Sequence, residues 1–243
     1  MAIIISVGIA LMILERIFPD QVLPTSPRWW FRVVMINLIQ YGVVKFMGST
    51  WDQFFYGVSL LDLDAIDPFA ATALAYVVIT FIFYWWHRFR HTNIFLWNSL
   101  HQIHHSPVRI ETATSFYKHP AEILVNSFII SLTVHGILGM SLAVGQYVMI
   151  VTAIAEFLYH MNIKTPHWWG YVFQRPEMHR IHHERGRHYS NFADLPVWDM
   201  LFGTYKNPKT FTGPCGFKPP RELRFWDMLI MRNVNQPPRG KSS

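Results

Sequence analysis

Residues 69–86 read FAATALAYVVITFIFYWW, a stretch without one charged side chain. At ~1.5 Å of rise per residue, a helix of that length reaches roughly 27 Å, close to the hydrocarbon thickness of a bilayer. In that medium every backbone N–H and C=O needs a partner within the chain, which leaves helices or a closed barrel. Two more apolar runs, 121–140 and 141–159, are separated by a stretch containing Gly136, Gly139 and Gly145 and read as a tight transmembrane hairpin. Residues 1–14 and 31–47 are weaker candidates, interrupted by Arg32 and Lys45. The first lacks a basic leader and a small-residue cleavage site, so it reads as a retained helix rather than a signal peptide. The chain is expected to be all-α, an integral membrane helical bundle of four to five transmembrane helices.

Composition agrees. Hydrophobic residues make up 51% and charged residues 15%, against about a quarter charged in ordinary soluble domains. That deficit argues against a soluble enzyme and excludes disorder. The single cysteine, Cys215, excludes an intrachain disulfide, a thiolate metal cluster and a Cys-x-x-Cys redox motif. The formal charge of +6 would suit a nucleic-acid binder, but such a protein would not carry membrane-length apolar runs.

The basic residues set an orientation, because they favour the cytoplasmic side. Residues 48–68 hold Asp52, Asp62, Asp64 and Asp67 and no Lys or Arg, and belong outside. The 69–86 helix then runs inward and delivers His87, Arg88, Arg90 and His91 to the inner boundary. The hairpin goes out and returns, and the Lys- and Arg-rich segment from Lys164 onward lies inside, as does the loop with Arg16 and Arg28. Trp29, Trp30, Trp85, Trp86, Trp168 and Trp169 gather at these boundaries and read as an interfacial belt.

Against this frame the 13 histidines form a pattern. His87 and His91 are four apart and share a helix face. His101-Gln-Ile-His104-His105 and His179-Arg-Ile-His182-His183 repeat one spacing, i, i+3 and i+4. His160 ends the last apolar run. All four groups fall at inner helix ends, a coincidence that spacing alone does not require. Eight or nine imidazoles are too many for one ion, since a zinc takes four ligands, but suit a pair. Imidazole binds zinc, iron, copper and nickel, so the ligands do not name the metal. His135 lies roughly 22 Å along its helix from the inner end and reads as structural. His167 reads as interfacial, and His119 and His188 as neighbours of the site rather than ligands.

HRFRH at 87–91, HQIHH at 101–105 and HRIHH at 179–183 resemble, in order and spacing, the fatty acid hydroxylase superfamily, which includes sterol desaturases and alkylglycerol monooxygenase. His119-Pro-Ala-Glu122, Tyr159-His160-Met-Asn162, and Asn191-Phe before WDMLFGTY at 198–205 extend the likeness over about half the chain. The resemblance implies a membrane enzyme with two non-haem iron ions in a cytoplasmic helical cap, O2 as co-substrate, and an external electron donor of ferredoxin or cytochrome b5 type with its reductase. Carried over by position, His87, His91, His101, His104, His105, His179, His182 and His183 are its ligands and His160 a ninth. Glu156, one turn before His160, stands where some relatives place a polar or histidine residue, and a Glu within a membrane helix is costly and usually functional. Asp199 and Asn191 sit in matched motifs and are expected to support the site; Glu122, Glu177 and Glu184 are further candidates to orient imidazoles. The implied division is 1–68, transmembrane helices and external loop; 69–205, catalytic domain; 206–243, cytoplasmic tail.

The expected reaction is O2-dependent hydroxylation or desaturation of a lipid, such as a fatty acyl chain or sterol. No hydrolytic triad, phosphate loop or dinucleotide fingerprint accompanies the histidines. Two other readings stay open: a membrane di-haem cytochrome, and a non-catalytic membrane protein with a structural histidine metal site.

Overall fold

The computed structural model describes residues 1–237. Disorder is expected from Gln236 onward, and 238–243 lie outside the described residues. Among the described residues the regular secondary structure is helical, with α1 (Ala2–Ile17), α2 (Pro27–Phe55), α3 (Pro68–Thr92), α4 (Ile94–Leu96), α5 (Pro120–Ser131), α6 (Leu142–His160), α7 (Pro176–His182), α8 (Pro196–Leu201) and α9 (Phe225–Leu229). A π-helical turn, Trp97–His101, extends α4, and another, Leu132–Ile137, extends α5. Four segments are long and apolar enough to cross a membrane: Pro27–Phe55, Pro68–Thr92, Pro120–Ile137 and Leu142–His160. The fold is the all-α membrane bundle expected. The 1–14 run becomes α1, whose 16 residues fall short of a span.

Local chemistry places the helix starts. Pro27, Pro68 and Pro120 occupy first-turn positions, where a missing N–H costs nothing. Ser26 accepts from the Trp29 N–H, and Asp67 from those of Phe69 and Ala70.

Helices α3 and α6 run parallel. Ala71, Ala75 and Ile79 of α3 pack on Val144 and Val148 of α6 in one buried cluster. The small residues of α3 let the backbones approach, the usual basis of helix association in lipid. The parallel pairing brings the C-terminal ends of α3 and α6, with His87, His91 and His160, to the same end of the bundle. α2 packs along α5, and α1 against α6.

The loop expected over 48–68 is shorter, because α2 continues to Phe55, where Trp51 and Phe55 pack on Phe128 of α5. Leu60, Leu61 and Leu63 then bond across the hairpin turn to Gly136, Ile137 and Leu138. Gly139 turns there at φ +64, and a Cβ would lie 2.0 Å from the Leu61 carbonyl, so only glycine fits.

Two expectations need correcting. Trp29 is not interfacial: it is 3% exposed, and its Nε1 donates to Glu111 at 3.0 Å. A buried indole N–H needs such a partner, and the 109–111 segment supplies it. The stretch after 206 is not a free tail either. Phe225, Met228 and Val234 pack with Trp29, Ile36, Ile103 and Tyr117, and Arg32 pairs with Glu222 at 2.8 Å. Apolar positions in 225–234 give this segment a core face.

Candidate metal centre

The histidines singled out by spacing converge at the common end of α3 and α6. Among the described residues they form two groups. His87, His91, His101, His105 and His182 offer nitrogens within 4.8 Å of one another, as do His104, His160, His179 and His183. Each comes from a helix end or the turn just beyond: His87 and His91 from α3, His101 from its π-turn, His104 and His105 from the following turn, His160 from the last position of α6. His179 and His182 belong to α7, and His183 is its C-cap. His105 and His183 stack where the groups meet.

Partners on the outer side of the rings fix their protons. The Nδ1 atoms of His87, His160 and His182 donate to the carbonyls of Phe192 (2.8 Å), Glu156 (2.8 Å) and Ser190 (2.9 Å). His101 Nδ1 donates to Glu122 at 3.1 Å, and Glu122 also accepts from Arg90. Carbonyl and carboxylate oxygens only accept, so these Nδ1 atoms carry the protons and each Nε2 presents a lone pair inward. The Nε2 atoms of His87 and His101 are nonetheless 3.1 Å apart. Lone pairs at that distance repel unless a cation lies between them. The Nε2 of His182, the Nδ1 atoms of His179 and His183, and both nitrogens of His105 are buried with no hydrogen-bond partner. Nε2 lone pairs that converge on two points, with the outer Nδ1 atoms of His87, His101, His160 and His182 tied down, are what a pair of metal ions requires.

Burial holds the imidazoles of His101, His104, His105, His179 and His183 well below their ordinary pKa; the charges of neighbouring rings act in the same direction. The His182 ring is pushed down to about 3 for the same first reason. The rings therefore stay neutral, the form that ligates metal.

Asp199 and Asn191 touch no histidine ring. Asp199 accepts the N–H groups of Phe192 (2.8 Å) and Ala193 (3.0 Å) and the Thr204 hydroxyl (2.6 Å). Asn191, at φ 59, bonds Met178 and Lys206. Both shape the loop whose carbonyls hold His87 and His182. Glu177 binds Thr165 and Arg175, and Glu184 faces Arg187; neither reaches the histidines. His135 donates to Met140 O at 2.8 Å, far from both groups, and His119 caps α5. His167 reaches Asn207 O, and the His188 ring lies 4.8 Å from that of His105.

An apolar cavity of about 830 Å³ runs between α1, α2, α5 and α6. α1 leans on α6 and α2 on α5, and the cavity opens between them, where Ile5, Ile9, Val34 and Leu38 are exposed. Its wall carries Glu156, Lys118 and Asp194 near the histidines, and Asp52 and His135 elsewhere. Glu156 pairs with Lys118, and Asp194 receives the hydroxyls of Tyr159 and Tyr76. Burial, then the Glu156 charge, raises the Asp194 carboxyl to about 7. The Tyr159 ring lies 4.6 Å from that of His179. Sequence reasoning passed over Lys118, Asp194 and Tyr76, and met Tyr159 only as part of a matched motif. Lys118 and Asp194 adjoin matched motifs, which was the available signal.

Comparison with known proteins agrees with this geometry. An ornithine lipid hydroxylase of Rhizobium tropici is 30% identical over 139 residues, 56% of this chain and 41% of its own. A methylsterol monooxygenase of Arabidopsis thaliana is 35% identical over 94 residues, 38% and 31% of the two chains. A very-long-chain aldehyde decarbonylase of Oryza sativa subsp. indica is 30% identical over 188 residues, 72% and 65%. The chain thus spans less than two thirds of the length of each of these relatives. No solved structure matches it. The fatty acid hydroxylase family pattern matches residues 72–204, more than half of the 243 residues, and the chain belongs to that family.

Proposed function

We propose that the protein is a membrane-bound oxygenase that holds two non-haem iron ions between its histidine groups. It uses O2 and electrons from an external donor to hydroxylate or desaturate a lipid. The observation that carries this reading is the division of nine imidazoles into groups of five and four. A pair of redox-active ions supplies O2 activation and removal of hydrogen from an unactivated C–H bond. The chain's own part is to keep the rings neutral and aimed, and to seat the lipid. The apolar cavity reaches from the lipid-facing gap between α1 and α2 to Glu156, one helical turn from His160. Asp194 is placed to hold a proton at its inner end.

The inner face of the membrane is proposed for the site from the distribution of Lys and Arg. A ferredoxin or cytochrome b5 with its reductase suits the basic surface there. Against a di-haem cytochrome, rings across the two groups approach to 4.1–5.5 Å, which leaves no slot for a porphyrin plane. Against a purely structural metal site stands an apolar cavity that ends at Glu156, one helical turn from His160.

The test is metal analysis and a visible spectrum of the purified protein, followed by O2 uptake with a reductant and lipid profiling. Two irons per chain, no Soret band and an oxidised lipid are expected. A stoichiometric zinc site with no O2 uptake, or a Soret band, would refute the reading.

A further inference from the structure

The polar groups at the inner end of the cavity are unevenly matched. Glu156 Oε1 is taken by Lys118, while its Oε2 has no partner. Gln40 is 3% exposed and lines the same cavity. Its Nε2 donates to the Lys118 carbonyl at 2.6 Å, which fixes the amide's orientation and leaves Oε1 without a donor. Asp194 receives two tyrosine hydroxyls and still has lone pairs to offer. It lies deep in the protein yet keeps accessible surface, because that surface faces the cavity. Buried polar groups are normally satisfied; the two atoms here with no partner at all, Glu156 Oε2 and Gln40 Oε1, are both acceptors, while the Lys118 ammonium has made one of its three bonds. The rest of the wall, including Ile4, Val33, Ile130, Met149 and Ala153, is apolar.

We propose that this end of the cavity is a subsite for a neutral hydrogen-bond-donating group of the lipid, a hydroxyl or an amide N–H, and that it selects against a free carboxylate. The proposal rests on the cavity being the lipid site, as read above. Surplus acceptors call for donors, which an alcohol or secondary amide brings and an alkane does not. A carboxylate brings only more acceptors. Among the described residues lining the cavity Lys118 is the one Lys or Arg, and Glu156 already balances its charge, so an incoming carboxylate adds an anion with no Lys or Arg left to neutralise it.

The test uses the full chain in detergent micelles at pH 8 and four lipids of equal chain length: a primary alcohol, an N-methyl amide, a carboxylic acid and an alkane. Native mass spectrometry reads the bound fraction of each. The alcohol, the amide or both should bind about tenfold more tightly than the acid and the alkane, the scale of one net hydrogen bond. Which of the two leads tells hydroxyl from amide. Glu156→Gln frees Lys118, so the preference over the acid should fall about tenfold. Equal binding of all four, or preference for the acid, overturns the subsite without recourse to any variant. An unchanged alcohol-to-acid ratio in Glu156→Gln overturns it as well. Iron content and O2 uptake of the same preparations separate the two claims. An active oxygenase with a flat ranking refutes the subsite alone; a selective binder without iron or O2 uptake refutes the oxygenase alone.

Discussion

His105 and His183 lie face to face, ring centroids 4.1 Å apart and planes 17° from parallel, at the seam between the two histidine groups. Neither is free to move without the other. Replacing His105 by Ala removes a nitrogen from one group and the ring that backs His183 in the other. Replacing His182 removes a nitrogen from one group, and its ring lies farther from the other, 5.3 Å from that of His179. Elemental analysis should find His105→Ala depleted of both ions and His182→Ala of one, with activity at background in each and membrane insertion intact. Equal depletion in the two variants would mean that the groups do not act as separate sites.

Asp199 acts at one remove. Its carboxylate gathers the N–H groups of Phe192 and Ala193, and that loop supplies the acceptors for His87 and His182. Both of those rings belong to the five-histidine group. Asp199→Ala should therefore weaken metal binding in that group by about 10–100-fold, the usual cost of losing outer support, while the four-histidine group keeps its ion. A chelator titration would show one labile and one retained ion. Uniform weakening would place the effect of Asp199 elsewhere.

The helical bundle and the meeting of the histidines were legible because both leave periodic marks: uncharged runs of membrane length, and imidazoles at i, i+3 and i+4. What fixes the rings was mostly illegible. Phe192, Ser190 and Glu156 use main-chain carbonyls, which no side-chain pattern encodes. Asp194 and Lys118 lie 76 positions apart and meet only through the fold. Burial of Trp29 depends on a partner, Glu111, supplied by a distant loop. The segment around Phe225 looked like a tail because its apolar run is too short to cross a membrane, yet Phe225, Met228 and Val234 complete the core around Tyr117.

His135 offers a control on depth. It sits in the π-turn after α5, bonded to Met140 O, with its Nε2 3.7 Å from Asp52. A Cβ on Gly145 would come within 2.6 Å of that nitrogen. Along α6, Gly145 and Glu156 are eleven positions apart, about 17 Å. His135→Ala should leave metal content unchanged and lower thermal stability by about 1–3 kcal/mol, through a cavity and an orphaned carbonyl. Loss of metal in this variant would contradict the separation of His135 from the histidine groups.

Acid should destabilise the metal-free protein, and the direction follows from the shifted imidazoles. In the unfolded chain histidines take up protons near pH 6.5. In the folded chain burial holds His101, His104, His105, His179 and His183 well below that value, and His182 at about 3. Below pH 6.5 the unfolded state therefore binds more protons, so their contribution is complete above pH 6.5 and is lost as pH falls from there toward 3. Asp194 works oppositely. Its carboxyl, raised to about 7 from 3.8, contributes fully below 3.8 and loses that contribution as pH rises through 7. Burial raises Asp199 and Glu15 in the same sense, and these three carboxyls are outnumbered by six rings, so the net trend follows the histidines. Protons also compete with metal for the same nitrogens, and stripping by chelator should become easier over the same interval. Thermal unfolding of the metal-free protein in detergent should give a melting temperature that is nearly level above pH 6.5 and falls steadily below it. A melting temperature that rises on acidification would mean that the folded rings carry protons, which their burial among one another forbids.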